Sequence, residues 1–243
     1  MVCIDVKIGG DAHDLCDGDV VAALVSVASS GRCKGAMISL ECTTWSAAHF
    51  LPDMHGKQGV QYRSANHILG IPQENGTLPS AVTNANKVAA AGAAIALAAG
   101  QSGARVIAET PAPRGTGVNG VTKAWPSDAL TGAEAHVYLF DHPSWRDVIT
   151  KLEAAVFVSD LCTFADAHDP LARGEKATAF LASANAKETA ALHFDGYRCT
   201  HKKGTHPALR GANGRGGYKT AGSERYSSNL CRALAAVLLD TEI

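Results

Sequence analysis

A thiol, a carboxylate and a guanidinium mark where chemistry can gather in this chain. Cys42 lies in Glu41-Cys42-Thr43-Thr44-Trp45-Ser46, directly after the apolar residues Ala36, Met37, Ile38 and Leu40. Such a run reads as a buried strand, and open α/β sheets bind ligands in the loops at their strands' carboxyl ends. A cysteine there is a candidate nucleophile once donors or a positive charge hold it as thiolate. The plain alternative is a small buried thiol at a strand end. Glu109 closes a second run, Ala104-Arg105-Val106-Ile107-Ala108, and is followed by Thr110-Pro111 and a Pro- and Gly-containing loop with Arg114. If the sheet is parallel, the two ends share one rim and Cys42 and Glu109 face one cleft. For Glu109 the plain alternative is a cap or an ion pair with Arg114.

Two further groups of side chains stand out. Cys162, Cys199, His201 and His206 are the right donors for a tetrahedral zinc site. The Cys-x-His-x4-His spacing is unusual, however, and incidental thiols and imidazoles are the preferred reading, so no metal is assigned. Between Gly196 and Arg232 stand Arg198, Lys202, Lys203, Arg210, Arg215, Lys219, Arg225 and Arg232 against one acid, Glu224. With glycines at 204, 211, 214, 216 and 217, this strip suits phosphate contacts, and Tyr218 and Tyr226 suit stacking on bases. A solvated polar tail is its plain alternative.

The elements that must position these residues follow from pattern. Val2–Val6 reads as a strand with Asp5 near its end. A helix over Val20–Ala28 is capped by Asp17 or Asp19 and ended by Gly31, and the Cys42 strand at 35–40 follows. That is a strand–helix–strand unit, which implies a parallel sheet. Residues 47–80 form a long polar insert with His49, His55 and His67, whose spacing matches no metal pattern. The insert reads as a lid or a disordered, solvated loop. Asn84–Ala99 is alanine-rich and helical despite Gly92, and His142–Leu152 is a second helix with an apolar face. Ala155–Val158 is a strand paired antiparallel with Glu175–Ser183, and Ser228–Leu239 is a terminal amphipathic helix.

With 243 residues, 46% of them hydrophobic, and a net charge of −1, the chain reads as one α/β domain over 1–243. No apolar run approaches the roughly 18 residues of a membrane helix. Seven cysteines without regular spacing imply reduced thiols, hence an intracellular protein, nuclear or cytoplasmic.

Taken in order, the motifs are Cys42 with Ser46 after one strand, Glu109 after another, and Asn229 in the closing helix. This series resembles the cytosine-C5 DNA methyltransferase-like domains of algal and oomycete mobile-element proteins. The resemblance implies a Rossmann-like, mostly parallel sheet flanked by helices, with an antiparallel C-terminal hairpin. It implies that Cys42 adds to C6 of a flipped cytosine while Glu109 meets N3 and Arg114 makes a second contact to the base. S-adenosylmethionine would be the methyl donor, its ribose met by Asp5, its adenine near Asp14, Asp17 or Asp19, with Asn229 on the helix that closes the fold. Three positions depart from the pattern. The glycine-rich cofactor loop has no counterpart, Glu41 replaces a proline, and Thr110 replaces an asparagine. A carboxylate beside the thiol raises the thiol's pKa.

These departures lead to the expectation that this chain alone binds S-adenosylmethionine weakly or not at all. A neighbouring polyprotein segment would then supply the missing first strand, the domain being active or degenerate. The alternative is a non-catalytic nucleic-acid-binding module of a mobile-element polyprotein, with DNA the expected partner.

Overall fold

In the computed structural model, residues 4–46, 60–112, 137–165, 177–200 and 226–241 are described. The chain opens with a short helix α1 (Val6–Gly9) and a 3-10 turn (Gly10–His13), then α2 (Gly18–Ser29) and β1 (Gly35–Ser39). The expected strand at 2–6 is not found among its described residues. The Asp5 carboxylate accepts the Lys7 N–H at 2.8 Å and its carbonyl accepts those of Ile8 and Gly9, which bends the backbone into a helical turn. Asp17 caps α2 by accepting the Asp19 N–H at 2.8 Å, and Gly31, at φ +71°, turns the chain out of it.

The long helix α3 (Ser80–Gln101) connects β1 to β2 (Arg105–Pro111), and the two strands run parallel with Ser39 beside Glu109. A crossover helix is what a parallel pair needs. Gly92 lets α3 sit close, since a Cβ there would come within 2.8 Å of Leu40 Cδ1. Then follow a 3-10 turn (Leu139–Asp141), α4 (Pro143–Lys151), β3 (Ala155–Asp160), a further 3-10 turn (Leu161–Phe164), β4 (Ala177–Ala182), α5 (Lys187–Phe194) and α6 (Ser228–Leu239).

The fold is α/β, and the described residues form an open mixed sheet of four strands in the order β1-β2-β4-β3. Only β1 and β2 are parallel; β4 pairs antiparallel with both β2 and β3. The expectation of a mostly parallel sheet is therefore corrected, for a physical reason. β4 enters between β2 and β3 and runs antiparallel to each, so its partners on both sides are satisfied by antiparallel ladders. The antiparallel pairing of the last two strands is as expected.

Alternation along the strands divides the core between the two faces. Val106, Ala108, Ala179 and Leu181 meet α3, α4, Trp45 and Phe140 on one side. Ile107, Phe180 and Ala182 meet Phe194 of α5 and Leu230, Leu234 and Val237 of α6 on the other. Phe180 and Phe194 stack with ring centroids 4.2 Å apart. Among the described residues, no helix is long and apolar enough to cross a membrane.

Candidate active site

The loop after β1 carries Cys42 half-buried between an exposed Glu41 and the buried Thr44 and Trp45. The Trp45 N–H donates to the Cys42 carbonyl at 2.9 Å, which closes the turn, and the Thr43 hydroxyl donates to Glu41 Oε1 at 2.6 Å. What holds this loop comes from the insert. Arg63, 1% exposed, donates from Nε to the Thr44 carbonyl (3.3 Å) and from Nη2 to Thr44 Oγ1 (2.9 Å). Its Nη1 donates to the Ile68 carbonyl (2.8 Å) and to Asn86 Oδ1 of α3 (2.9 Å). The guanidinium lies over the Trp45 ring, 3.4 Å from its centroid, a cation–π contact. Burial pulls its pKa down to about 10, so Arg63 is still a cation at neutral pH.

The far edge of Trp45 meets His142 at 5.9 Å, edge-on. His142 caps α4 by accepting the Ser144 N–H at Nδ1, which requires that nitrogen to be unprotonated. Burial first, and the Arg63 charge second, pull its pKa down to about 4. Within the described part of the insert, Arg63, Ser64 and Gly70 are buried, while residues 72–77 are exposed. His67 is exposed there, while His49 and His55 lie outside the described residues.

Glu109, 4% exposed, sits in β2 on the α6 face, across from Ser39 on one side and Phe180 on the other. Ser39 Oγ donates to Glu109 Oε2 at 2.8 Å. The Tyr226 hydroxyl lies 2.8 Å from both that oxygen and Ser39 Oγ, so its single proton is shared between them. Tyr226 is aimed there by its neighbour. The Ser227 hydroxyl donates to the Phe164 carbonyl at 2.6 Å and accepts the Leu230 N–H, which pins the start of α6. Burial, and next the Glu109 carboxylate, push the Tyr226 phenol well above its ordinary pKa. Tyr226 therefore spends its hydroxyl on Glu109 and Ser39, where the sequence suggested a ring for stacking on bases.

The parallel β1–β2 pair brings the carboxyl ends of both strands to one edge of the sheet. Cys42 follows Ser39 by three residues, a span of at most about 11 Å between Cα atoms. Arg114 lies outside the described residues.

The remaining sequence candidates lie elsewhere. Asp5 is exposed in the turn before α1, Asp17 caps α2, and Asn229 is exposed in the first turn of α6, where it accepts from Arg232 Nη1 at 3.2 Å. Of the named phosphate contacts, Arg198 is described. Its Nε lies 3.2 Å from Asp160 Oδ2 in an ion pair that closes the end of β3. Lys202, Lys203, Arg210, Arg215 and Lys219 fall outside the described residues. Cys162 and Cys199 are brought together beside Asp160, whereas His201 and His206 are not described. Among the described residues, no group of three or more His, Cys, Asp or Glu side chains is placed to hold a metal ion.

No family model, no curated protein and no solved structure matches this chain.

Proposed function

We propose that this chain is a methyltransferase-like α/β domain that acts on nucleic acid. More narrowly, we propose a cytosine-C5 DNA methyltransferase-like domain with Cys42 as nucleophile and Glu109 as the group that meets N3. The observation that supports this most is the register of the parallel pair. Ser39 of β1 lies beside Glu109 of β2, so the Cys42 loop leaves the sheet at the rim toward which the Glu109 strand runs.

The chemistry needs both groups. A thiolate adding at C6 makes C5 nucleophilic, and a hydrogen bond or proton at N3 takes up the charge that develops in the ring. For Glu109 to meet a base, its Tyr226 contact must be exchanged for N3, so Tyr226 acts as a cap on the carboxyl. Arg63 holds the Cys42 loop in place through Thr44 and Trp45.

The residues named for S-adenosylmethionine do not fit a cradle for it. Asp5 and Asp17 spend their carboxylates on neighbouring backbone N–H groups, and Asn229 is held by Arg232. This chain alone is expected to bind the cofactor weakly or not at all.

One observation favours the second reading, a nucleic-acid-binding module without catalysis. Glu109 is 4% exposed and covered by Tyr226, a state in which it cannot touch a base. Duplex DNA carrying 2-pyrimidinone in place of cytosine separates the two. Without the ring-feeding amino group, C6 of that base accepts a thiolate without any methyl donor. A denaturant-stable adduct formed by the parent chain and lost in Cys42→Ser supports the methyltransferase-like reading. Salt-sensitive DNA binding with no adduct supports the module.

A further inference from the structure

Cys162 and Cys199 are far apart in sequence, and four separate contacts bring their backbones to the same place. The Asp160 N–H donates to the Tyr197 carbonyl at 2.9 Å, and the Cys199 N–H donates to Asp160 Oδ2 at 2.7 Å. Tyr197 stacks on Phe164 with ring centroids 5.5 Å apart, at the end of the turn that contains Cys162. Arg198, between Tyr197 and Cys199, pairs with the same Asp160 oxygen. The segment 197–199 is therefore strapped across the end of β3, which sets the Cys199 thiol beside that of Cys162.

We infer that Cys162 and Cys199 form a reversible disulfide when a hydroperoxide reaches the Cys199 thiol. The two sulfurs are unequal in the way such a pair requires. Cys199 is half-buried and within reach of a small oxidant, whereas Cys162 is 6% exposed and shielded from one. Burial first, then the neighbouring Cys199 thiol and the Asp160 charge, push the Cys162 thiol up to about 12, which keeps it a protonated thiol and leaves Cys199 as the member that meets the peroxide. In the first step Cys199–SH reacts with ROOH to give Cys199–SOH and ROH; the peroxide O–O bond breaks and the sulfur is oxidised. In the second, the Cys162 sulfur attacks the sulfenic sulfur, the S–S bond forms, and water leaves with the Cys162 proton. A thiol reductant reverses the bond, returning both sulfurs to thiols.

The pair owes nothing to the Cys42 chemistry, so it stands or falls separately from the proposed function. The test treats the full reduced chain with tert-butyl hydroperoxide, alkylates remaining thiols, and maps the peptides without reduction. The expected result is one dominant cross-link, Cys162 to Cys199, reversed by dithiothreitol, with exposed Cys231 recovered as the alkylated thiol. Cys162→Ser is expected to leave Cys199 as a sulfenic acid that dimedone traps. The mapping of the parent chain stands without that variant, should it fold poorly. Cross-links scattered over other cysteines, or Cys162 still alkylated after Cys199 is oxidised, would overturn the inference. So would stoichiometric zinc in the purified chain that is released only when both thiols are alkylated.

Discussion

Two strand ends in this molecule are each closed by a buried charge, and they are closed in opposite ways. After β1, the Cys42 loop is gripped by a cation, Arg63, which meets carbonyl, hydroxyl and amide oxygens and an aromatic face. After β3, the Cys162 turn is gripped by an anion, Asp160, whose partners are the Arg198 guanidinium and the Cys199 N–H. The first grip is sealed, with Arg63 at 1% exposure; in the second the Arg198 side chain is 43% exposed. A buried charge satisfied by dipoles depends on geometry and little on salt, while a half-exposed ion pair is screened. The difference suits the two roles proposed. A nucleophile's loop must be held in one shape, whereas the strap over Cys162 must let an oxidant reach Cys199.

The comparison breaks most visibly at Arg63. Arg63→Ala removes the donor for four acceptors and one face of the Trp45 contact, and is expected to cost about 4 kcal/mol in urea unfolding, the same at low and high salt. Arg63→Lys keeps the charge without the planar fork and is expected to recover only part of this. In both variants the Cys42 thiol should react faster with a maleimide, because its loop has lost its anchor.

Next in size is a pH effect confined to the same grip. His142 has a folded pKa of about 4 against an unfolded value near 6.5, so the unfolded chain takes up the proton first as pH falls. Stability is full above pH 6.5 and is lost between there and pH 4, by up to about 3 kcal/mol. His142→Asn keeps a side chain that can cap α4 and should flatten that part of the profile. A chain whose stability falls as steeply with Asn in place would show that another group titrates.

The smallest effect sharpens the contrast from the other side. Arg198→Gln is expected to cost less than about 1 kcal/mol at low salt and nothing measurable at high salt, as for an exposed ion pair. A loss as large and as salt-independent as that of Arg63→Ala would erase the distinction between the two grips.

Much of the scaffold was legible in the residues, and the failures have identifiable causes. β1, α3, β2, α4, β3, β4 and α6 follow from apolar runs and helical spacing, because those patterns record which face is buried. The start of the chain misled because Val2, Ile4 and Val6 alternate like a strand, while the Asp5 side chain competes locally for the backbone and favours a turn. The helix α5 was missed, since Lys187–Phe194 buries only Ala190 and Phe194 and so carries little periodic signal. The sheet was read as mostly parallel because strand order is a non-local property, and nothing local to Ala177–Ala182 says that it enters beside β2.

At the site, Cys42 and Glu109 stand out by type and position, but Arg63 does not. It is one arginine in a polar segment, and nothing in its spacing marks it as the cation that packs on Trp45. Ser39 and Tyr226, the hydroxyls on Glu109, were equally hidden, because their pairing spans most of the chain.

The central claim is that Cys42 can add to a cytosine that Glu109 helps to activate. Exchange of the cytosine H5 for solvent deuterium measures this step without any methyl donor, since addition at C6 lets C5 take up and release a proton before the thiolate leaves. The account predicts exchange in duplex DNA with the parent chain, its loss in Cys42→Ser, a large reduction in Glu109→Gln, and a rate at least as high in Tyr226→Phe, where the cap hydroxyl is gone. Exchange no faster with the parent chain than with Cys42→Ser would contradict it.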